Sequence, residues 1–390
     1  MKQQFRALVT TLAITVVVSA AAQTQIAPED MPDAGNFNFP GDTVVLPLTD
    51  GGHPRVTVDF GDGQRHQFIV DTGASVNIID SAIAEKLGFE VSGEMEIGAP
   101  GGAQIPGKIV SVESVRVGDA TITDAEFVTM DVNDFSQGMA QGVIGLDVFR
   151  DYLLTYDLGQ GQLRVSRDSL SVDDPAVVKY NSVNGKVQMD LDVAGTKVAA
   201  HLDTGSMGEF MLPAELLASL PLKGEPQQGP KARMVGGSRD TLFAQVDGMI
   251  RFAGLEFENP QVTFMSPSTG YGNIGGGIYG RYTMSIDQSN QLIAFRKPAR
   301  IKGAGTTGKP RRLGVGFRGM GANAALKVNT VVPGSLADSA GFEVGDKLVL
   351  INNQPARDFT MPDLGKLFGS NEPLTFDVDR NGVVKTIKIQ

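Results

Sequence analysis

The sequence predicts a mainly β protein, built as two pseudo-symmetric β-barrel lobes followed by a small α/β domain. Three observations point there. The stretch Phe68-Ile69-Val70-Asp71-Thr72-Gly73-Ala74-Ser75 returns as Ala200-His201-Leu202-Asp203-Thr204-Gly205-Ser206, each time after a strand-like apolar run and before a second apolar segment. The downstream landmarks return as well: Gly142-Val143-Ile144-Gly145 and then 149–157 in one half, Gly272-Asn273-Ile274-Gly275 and then 279–287 in the other. Asp71 and Asp203 are 132 residues apart, and the closing aspartates, Asp157 and Asp287, are 130 apart. Near-equal offsets at both ends mean one module, duplicated with small internal length changes. Finally, a Gly-, Thr- and Lys-rich tract without periodicity at 298–310 reads as a linker and sets off a third unit at 311–390.

Size and composition agree. Three hundred and ninety residues exceed the usual reach of one core, and 41% hydrophobic with 20% charged residues is an ordinary globular balance. A formal charge of −10 with no basic stripe argues against nucleic acid as a partner. Lys2 and Arg6, the apolar run 7–18 and the small residues 19–22 read as a secretory signal peptide over 1–22. That run is short for a bilayer span. The mature chain is therefore expected to be exported, to the periplasm or the extracellular space, and to keep no membrane span. The chain contains no cysteine, hence no disulfide, and a core of this size can do without one.

Residues 23–42, with Pro28, Pro32 and Pro40 among Asp, Asn and Gly, read as a flexible lead-in. Lobe one, 43–172, opens with strand runs at 43–48, 55–60, 67–70 and 76–79, and Asp62-Gly63 is a hairpin signal between two of them. A short helix is expected over 81–87, capped by Asp80 or Ser81 and ended by Gly88. Longer strands follow at 108–117 and 121–130 around Gly118-Asp119, then a helical turn at 145–152 and a strand at 153–156. Lobe two, 173–297, repeats this order: strands at 186–193 and 197–202 joined at Ala194-Gly195, a helix at 214–220, a polar loop at 224–231, and strands at 246–252 and 261–265. Between its two landmarks each lobe carries a Gly-rich turn, Gly98-Ala99-Pro100-Gly101-Gly102 in one and Gly236-Gly237-Ser238 in the other.

This ordered series resembles the aspartic proteases, and specifically the retropepsin-like peptidases of bacteria, over about residues 43–297. The resemblance implies two retropepsin/pepsin-like lobes in one chain. In each, Asp-Thr-Gly would end a strand and the later segment (143–145 or 273–275) would pass behind it. The two lobes would then bring their aspartates together. Two departures are visible: Asn273 is polar where the pattern is apolar, and the flap turn has no Tyr. The third unit, with Leu313-Gly314-Val315-Gly316-Phe317 well ahead of Gly345-Asp346 and helices expected at 335–340 and 362–368, resembles a PDZ domain.

Amide hydrolysis must overcome a poor nucleophile and a poor leaving group. Two carboxylates in hydrogen-bonding reach share one proton, because like charges so close cannot both ionise. One member can then take a proton from water while the other donates to the carbonyl oxygen. Asp71 and Asp203 are the candidate catalytic pair, with acid and base unassigned. Gly73 and Gly205 allow close backbone approach and offer N–H groups. Thr72 and Thr204, by the resemblance, hydrogen-bond across the pseudo-two-fold. Ser206 has a hydroxyl to offer Asp203, where Ala74 has none for Asp71.

The turns holding Gly101, Gly102, Gly236 and Gly237 are expected to be flaps over an extended polypeptide substrate, bound by strand-like main-chain pairing. In the third unit the N–H groups of Gly314, Val315, Gly316 and Phe317 are expected to receive the terminal carboxylate of a protein or peptide. Phe317, Leu364 and Leu367 would favour a hydrophobic last residue. With three histidines and no cysteine there is little material for a metal site or a Ser-His-Asp triad, and no cofactor is called for; His201 reads as a strand residue. Two functions compete: an exported aspartic endopeptidase whose PDZ unit recognises substrate tails or a partner, and a non-catalytic peptide-binding adaptor of the cell envelope. The presence of both aspartates and both adjacent glycines favours the enzyme.

Overall fold

The computed structural model describes residues 31–49, 53–98, 102–136, 138–229, 231–267, 270–298, 313–318, 326–331, 335–359, 364, 367 and 372–389. The expected signal peptide, nearly all of the expected linker, and most of the helix expected at 362–368 lie outside them. No helix among the described residues is long and apolar enough to cross a membrane.

Lobe one is an eight-stranded sheet in the order 36–38, 120–130, 77–80, 142–145, 66–71, 55–59, 105–117 and 90–97. Pairing of Ile105–Val117 with Ala120–Met130 closes it into a barrel. The predicted helix forms at Ser81–Leu87: the Asp80 side chain accepts from the N–H of Ala82 at 3.1 Å, and Gly88 ends it in the left-handed region. Lobe two follows the same path, but its long hairpin is cut in two. Asp247-Gly248 interrupts one strand and Asn259-Pro260 the other, so the expected strand at 246–252 is the end of Gly237–Val246 followed by Met249–Phe252.

Three further expectations need correction. Residues 34–39 are no flexible lead-in: Asn36–Asn38 pairs antiparallel with Ala120–Met130, and Phe37 and Phe39 are buried against Phe149 and Tyr152. The alternation Asn-Phe-Asn-Phe was a strand signal that the surrounding prolines and glycines outweighed. The polar loop expected at 224–231 is largely an edge strand, Leu222–Gln228, lying on Gly237–Val246. With both its faces mostly exposed it has no apolar alternation to read. The helix expected at 214–220 is a 3₁₀ helix, Ala214–Ala218.

A third sheet joins the lobes, ordered 177–179, 292–296, 283–287, 153–157, 162–166 and 43–47. At its centre the two copies of one strand lie side by side, Thr155 opposite Ser285, their hydroxyls 2.9 Å apart. These are twin positions, so the pseudo-two-fold axis passes between them. One continuous apolar core extends through both lobes, from Phe68 and Ile144 to Phe210 and Ile274.

The third unit has its own core around Phe342, Phe376 and Ile387 and a sheet ordered 315–318, 327–331, 347–351, 374–380 and 383–389. Asp346, 1% exposed, accepts two bonds from the Arg380 guanidinium at 2.7 Å and one from the N–H of Glu343.

Candidate active site

Asp71 is the last residue of the strand His66–Asp71, and Asp203 follows directly on Thr196–Leu202. Each strand runs parallel to the second landmark of its own lobe, Asp71 opposite Gly145 and Leu202 opposite Ile274. That landmark strand also runs antiparallel to the segment after Asp-Thr-Gly, with Ile78 opposite Val143 and Met211 opposite Asn273. Each Asp-Thr-Gly loop is therefore held from both legs by one strand between them.

Across the pseudo-axis the two loops lock together. The backbone N–H of Thr72 donates to Thr204 Oγ1 and that of Thr204 to Thr72 Oγ1, both at 3.0 Å. Each hydroxyl passes its own hydrogen onward, Thr72 to the carbonyl of Leu202 and Thr204 to that of Val70, both at 2.7 Å. Both threonines are fully buried, so all four bonds form away from water.

The two carboxylates meet above the glycines. A methyl group on Gly73 would fall 2.8 Å from Asp203 Cγ and 3.1 Å from Asp71 Oδ1, and one on Gly205 would fall 2.5 Å from Asp71 Oδ2. No side chain fits at either position. The N–H groups of Gly73 and Gly205 both donate to Asp71 Oδ1, at 2.7 and 3.1 Å. Burial, and next the charge of Asp203, push the Asp71 carboxyl up to about 7, against the two N–H bonds that favour its anion. Such a pair can hold a proton near neutral pH and stand ready to exchange it.

Two polar side chains act on Asp203: Asn273, which the sequence shows only as a departure from the apolar pattern, and His53, which it does not single out. Asn273 Nδ2 donates to Asp203 Oδ2 at 2.6 Å, so the departure from the apolar pattern is a carboxylate partner. Burial holds the imidazole of His53 below its usual value, with the Asp203 charge opposing. Tyr279 donates to the Thr204 carbonyl at 2.8 Å, and burial pushes its phenol, and that of Tyr156, well above the usual range.

Ser206 does not reach the carboxylates: its hydroxyl lies 3.6 Å from Met211 Sδ. His201 is a buried strand residue stacked on Tyr271 at 4.0 Å, and its imidazole is lowered to about 4, first by burial and then by Lys186. Val235 and Gly236 turn between the strands Ala232–Met234 and Gly237–Val246, Gly237 being the first residue of the second, and this turn meets the lobe-one turn at Ala103, whose N–H donates to the Gly236 carbonyl. Gly102 lies in that lobe-one turn; Gly101 lies outside the described residues. Between the turns is a cavity of about 280 Å³ lined by Ile105, Met130, Phe135 and Met234 among others.

In the third unit, Gly314 takes a left-handed conformation and Val315–Arg318 is an edge strand of the sheet. Val315, Phe317 and Leu367 pack partly buried on the core that holds Leu364. The predicted carboxylate-binding stretch is thus mostly strand, with Gly314 as the turn before it.

Among protein families, the one described as aspartyl protease matches residues 56–148 and 189–278, one match in each lobe. The one described as PDZ domain matches 327–380. No curated protein matches the chain.

Proposed function

Because its two lobes belong to the aspartyl protease family and its third unit is a PDZ domain, we propose that this chain is an exported aspartic endopeptidase acting through Asp71 and Asp203. The observation that carries the reading is the joint approach of both carboxylates to Gly73. In the reaction the ionised carboxyl takes a proton from a water molecule as its oxygen bonds to the peptide carbon. The protonated carboxyl gives its hydrogen to the carbonyl oxygen. On collapse of the tetrahedral species the carboxyl that took water's proton gives it to the nitrogen as the C–N bond breaks, and the other takes one from a hydroxyl of that species, so the dyad returns to one shared hydrogen. The threonine lock keeps the two groups in register, so little reorganisation accompanies proton transfer.

The substrate in this reading is an extended polypeptide running beneath the two glycine turns, with an apolar side chain in the cavity beside Met130 and Phe135. The edge strand Val315–Arg318 offers main-chain groups to a peptide added as a further strand, with the chain terminus directed to Gly314. Export rests on the signal-like residues 1–22.

Incubation with an unfolded protein at mildly acidic to neutral pH, followed by counting new amino termini, tests the reading. Cleavage by the wild-type chain and a loss of about 10³-fold or more in Asp71→Asn and Asp203→Asn are expected. Binding of the unfolded chain without new termini would favour the adaptor instead.

A further inference from the structure

The two halves are not equivalent around the dyad. Asn273 occupies the position that Val143 holds in lobe one: each sits opposite the residue two before the aspartate, His201 and Ile69 respectively. Val143 is buried and has no hydrogen to offer Asp71, whereas Asn273 donates to Asp203 Oδ2. The other end of that amide, Oδ1, is buried with no hydrogen-bond partner among the described residues. A polar group in an apolar strand, half satisfied, carries a desolvation cost that the Asp203 bond must offset.

The orphaned end also reports the protonation state. Were the hydrogen on Asp203 Oδ2, the amide would have to turn over and accept from it. That would place an NH₂ group, with two hydrogens to satisfy, where now there is a carbonyl oxygen; a buried orphan donor is tolerated less well than an under-used acceptor. The observed orientation suits an anion, because a bond from N–H to an ionised carboxylate is the stronger kind. On Asp71 the two backbone donors also favour an anion, but both converge on Oδ1, and Oδ2, which neither reaches, is the oxygen that can bear a hydrogen.

We infer that Asn273 is a positioning residue that fixes the dyad's negative charge on Asp203 and leaves the shared hydrogen on Asp71. Asp203 is then the base that deprotonates water, and Asp71 is the acid that serves the carbonyl oxygen. The assignment of roles rests on the endopeptidase reading; the place of the hydrogen does not. The titratable groups facing Asp203 are Asp71 across the axis, His53 ahead of the strand Arg55–Asp59, and Tyr279, with Arg55 beyond His53 and Tyr156 beyond Tyr279. Of these, Asp71 shares its hydrogen with Asp203 across the axis, and Asn273 adds a donor that does not titrate. The upward push on the Asp71 carboxyl, in part by the charge of Asp203, agrees in direction.

The test is a titration of the full-length protein labelled with ¹³C at aspartate side-chain carboxyls, with Asp71→Asn and Asp203→Asn assigning the two signals. At about pH 5, above the ordinary range for an aspartate, Asp203 should give the ionised shift and Asp71 the protonated one. The reverse order overturns the inference. In Asn273→Val, which installs the residue of the other half, the first proton loss of the dyad and the acid limb of kcat/KM should both rise by about one to two pH units. The Asn273→Val/Val143→Asn double variant should move the anion onto Asp71. An Asn273→Val titration superposable on the wild type would also overturn the inference. If that variant fails to fold, the wild-type spectrum still decides. Absence of hydrolysis by the wild type, with the predicted carboxyl shifts intact, would defeat the endopeptidase reading while leaving the hydrogen on Asp71.

Discussion

The N–H of Ala103 donates to the carbonyl of Gly236 at 3.2 Å, so the glycine turns of the two lobes are joined main chain to main chain. Behind this contact, Val235 packs on the lobe-one cluster of Ile78, Ile97, Val128, Met130 and Val143. Lobe two thus inserts its turn into lobe one.

Gly236 has φ +85°, and a methyl group there would run into the Ala103 backbone. Gly236→Ala should therefore weaken the contact through both strain and overlap, together about 1–2 kcal/mol. We expect KM for a long peptide to rise about tenfold, with unfolding of the lobes little changed. An unaltered KM would mean that the turns do not cover the substrate.

Thr72→Val keeps the shape of the side chain and removes its hydroxyl. The Thr204 N–H and the Leu202 carbonyl, both inside the lock, lose their partner. Two buried groups left unsatisfied should cost about 2–5 kcal/mol in denaturant unfolding, and Thr72→Ser should recover most of it. Equal losses in the two variants would point to packing of the methyl group instead.

The Asp71 carboxyl, raised to about 7 chiefly by burial, keeps in the folded chain a proton that an unfolded aspartate loses near pH 4. Between those values the native state binds more protons than the unfolded one, so this group's contribution to stability falls as pH rises from about 4 to 7. Above about 7 the whole penalty is present. Asparagine cannot ionise, so Asp71→Asn should be more stable than the wild type at pH 8 by on the order of 1–3 kcal/mol, a gain that is absent at pH 3.5. Thermal unfolding at the two pH values measures it, and a pH-independent difference would contradict the argument.

In the PDZ unit, Arg380 holds the buried Asp346 through two bonds and reaches Glu343 and the Gly341 carbonyl as well. Arg380→Met keeps length but strands a carboxylate in the core, at a cost of about 3–5 kcal/mol. Proteolysis and hydrogen exchange should show this unit opening while the lobes stay protected. Asp346→Asn in the same background should restore part of the loss.

Much of this was legible from the chain. Asp71 and Asp203 were readable because duplication repeats their whole setting, and a repeat of that length is hard to produce for turn reasons alone. The threonine lock followed from the same resemblance. Asn273 looked like a flaw in an apolar strand; its meaning depends on a side chain 70 residues away, although a polar residue opposite the strand leading into an aspartate is a signal that can be sought. His53 gave none, because it comes under the charge of Asp203 only once the lobes are assembled. Ser206 misled, since a hydroxyl next to the loop was free to turn towards Met211. The edge strand Leu222–Gln228 was missed for the reason that exposed edges do not alternate.

The most direct test of the central account is peptide hydrolysis in ¹⁸O-labelled water under single-turnover conditions. If the dyad activates water itself, the new carboxyl terminus should carry one ¹⁸O from the first turnover, with no covalent intermediate trapped, and Asp71→Asn and Asp203→Asn should form product at least about 10³-fold more slowly. A first-turnover product without the label would mean that an enzyme oxygen attacks the peptide, and the account would be wrong.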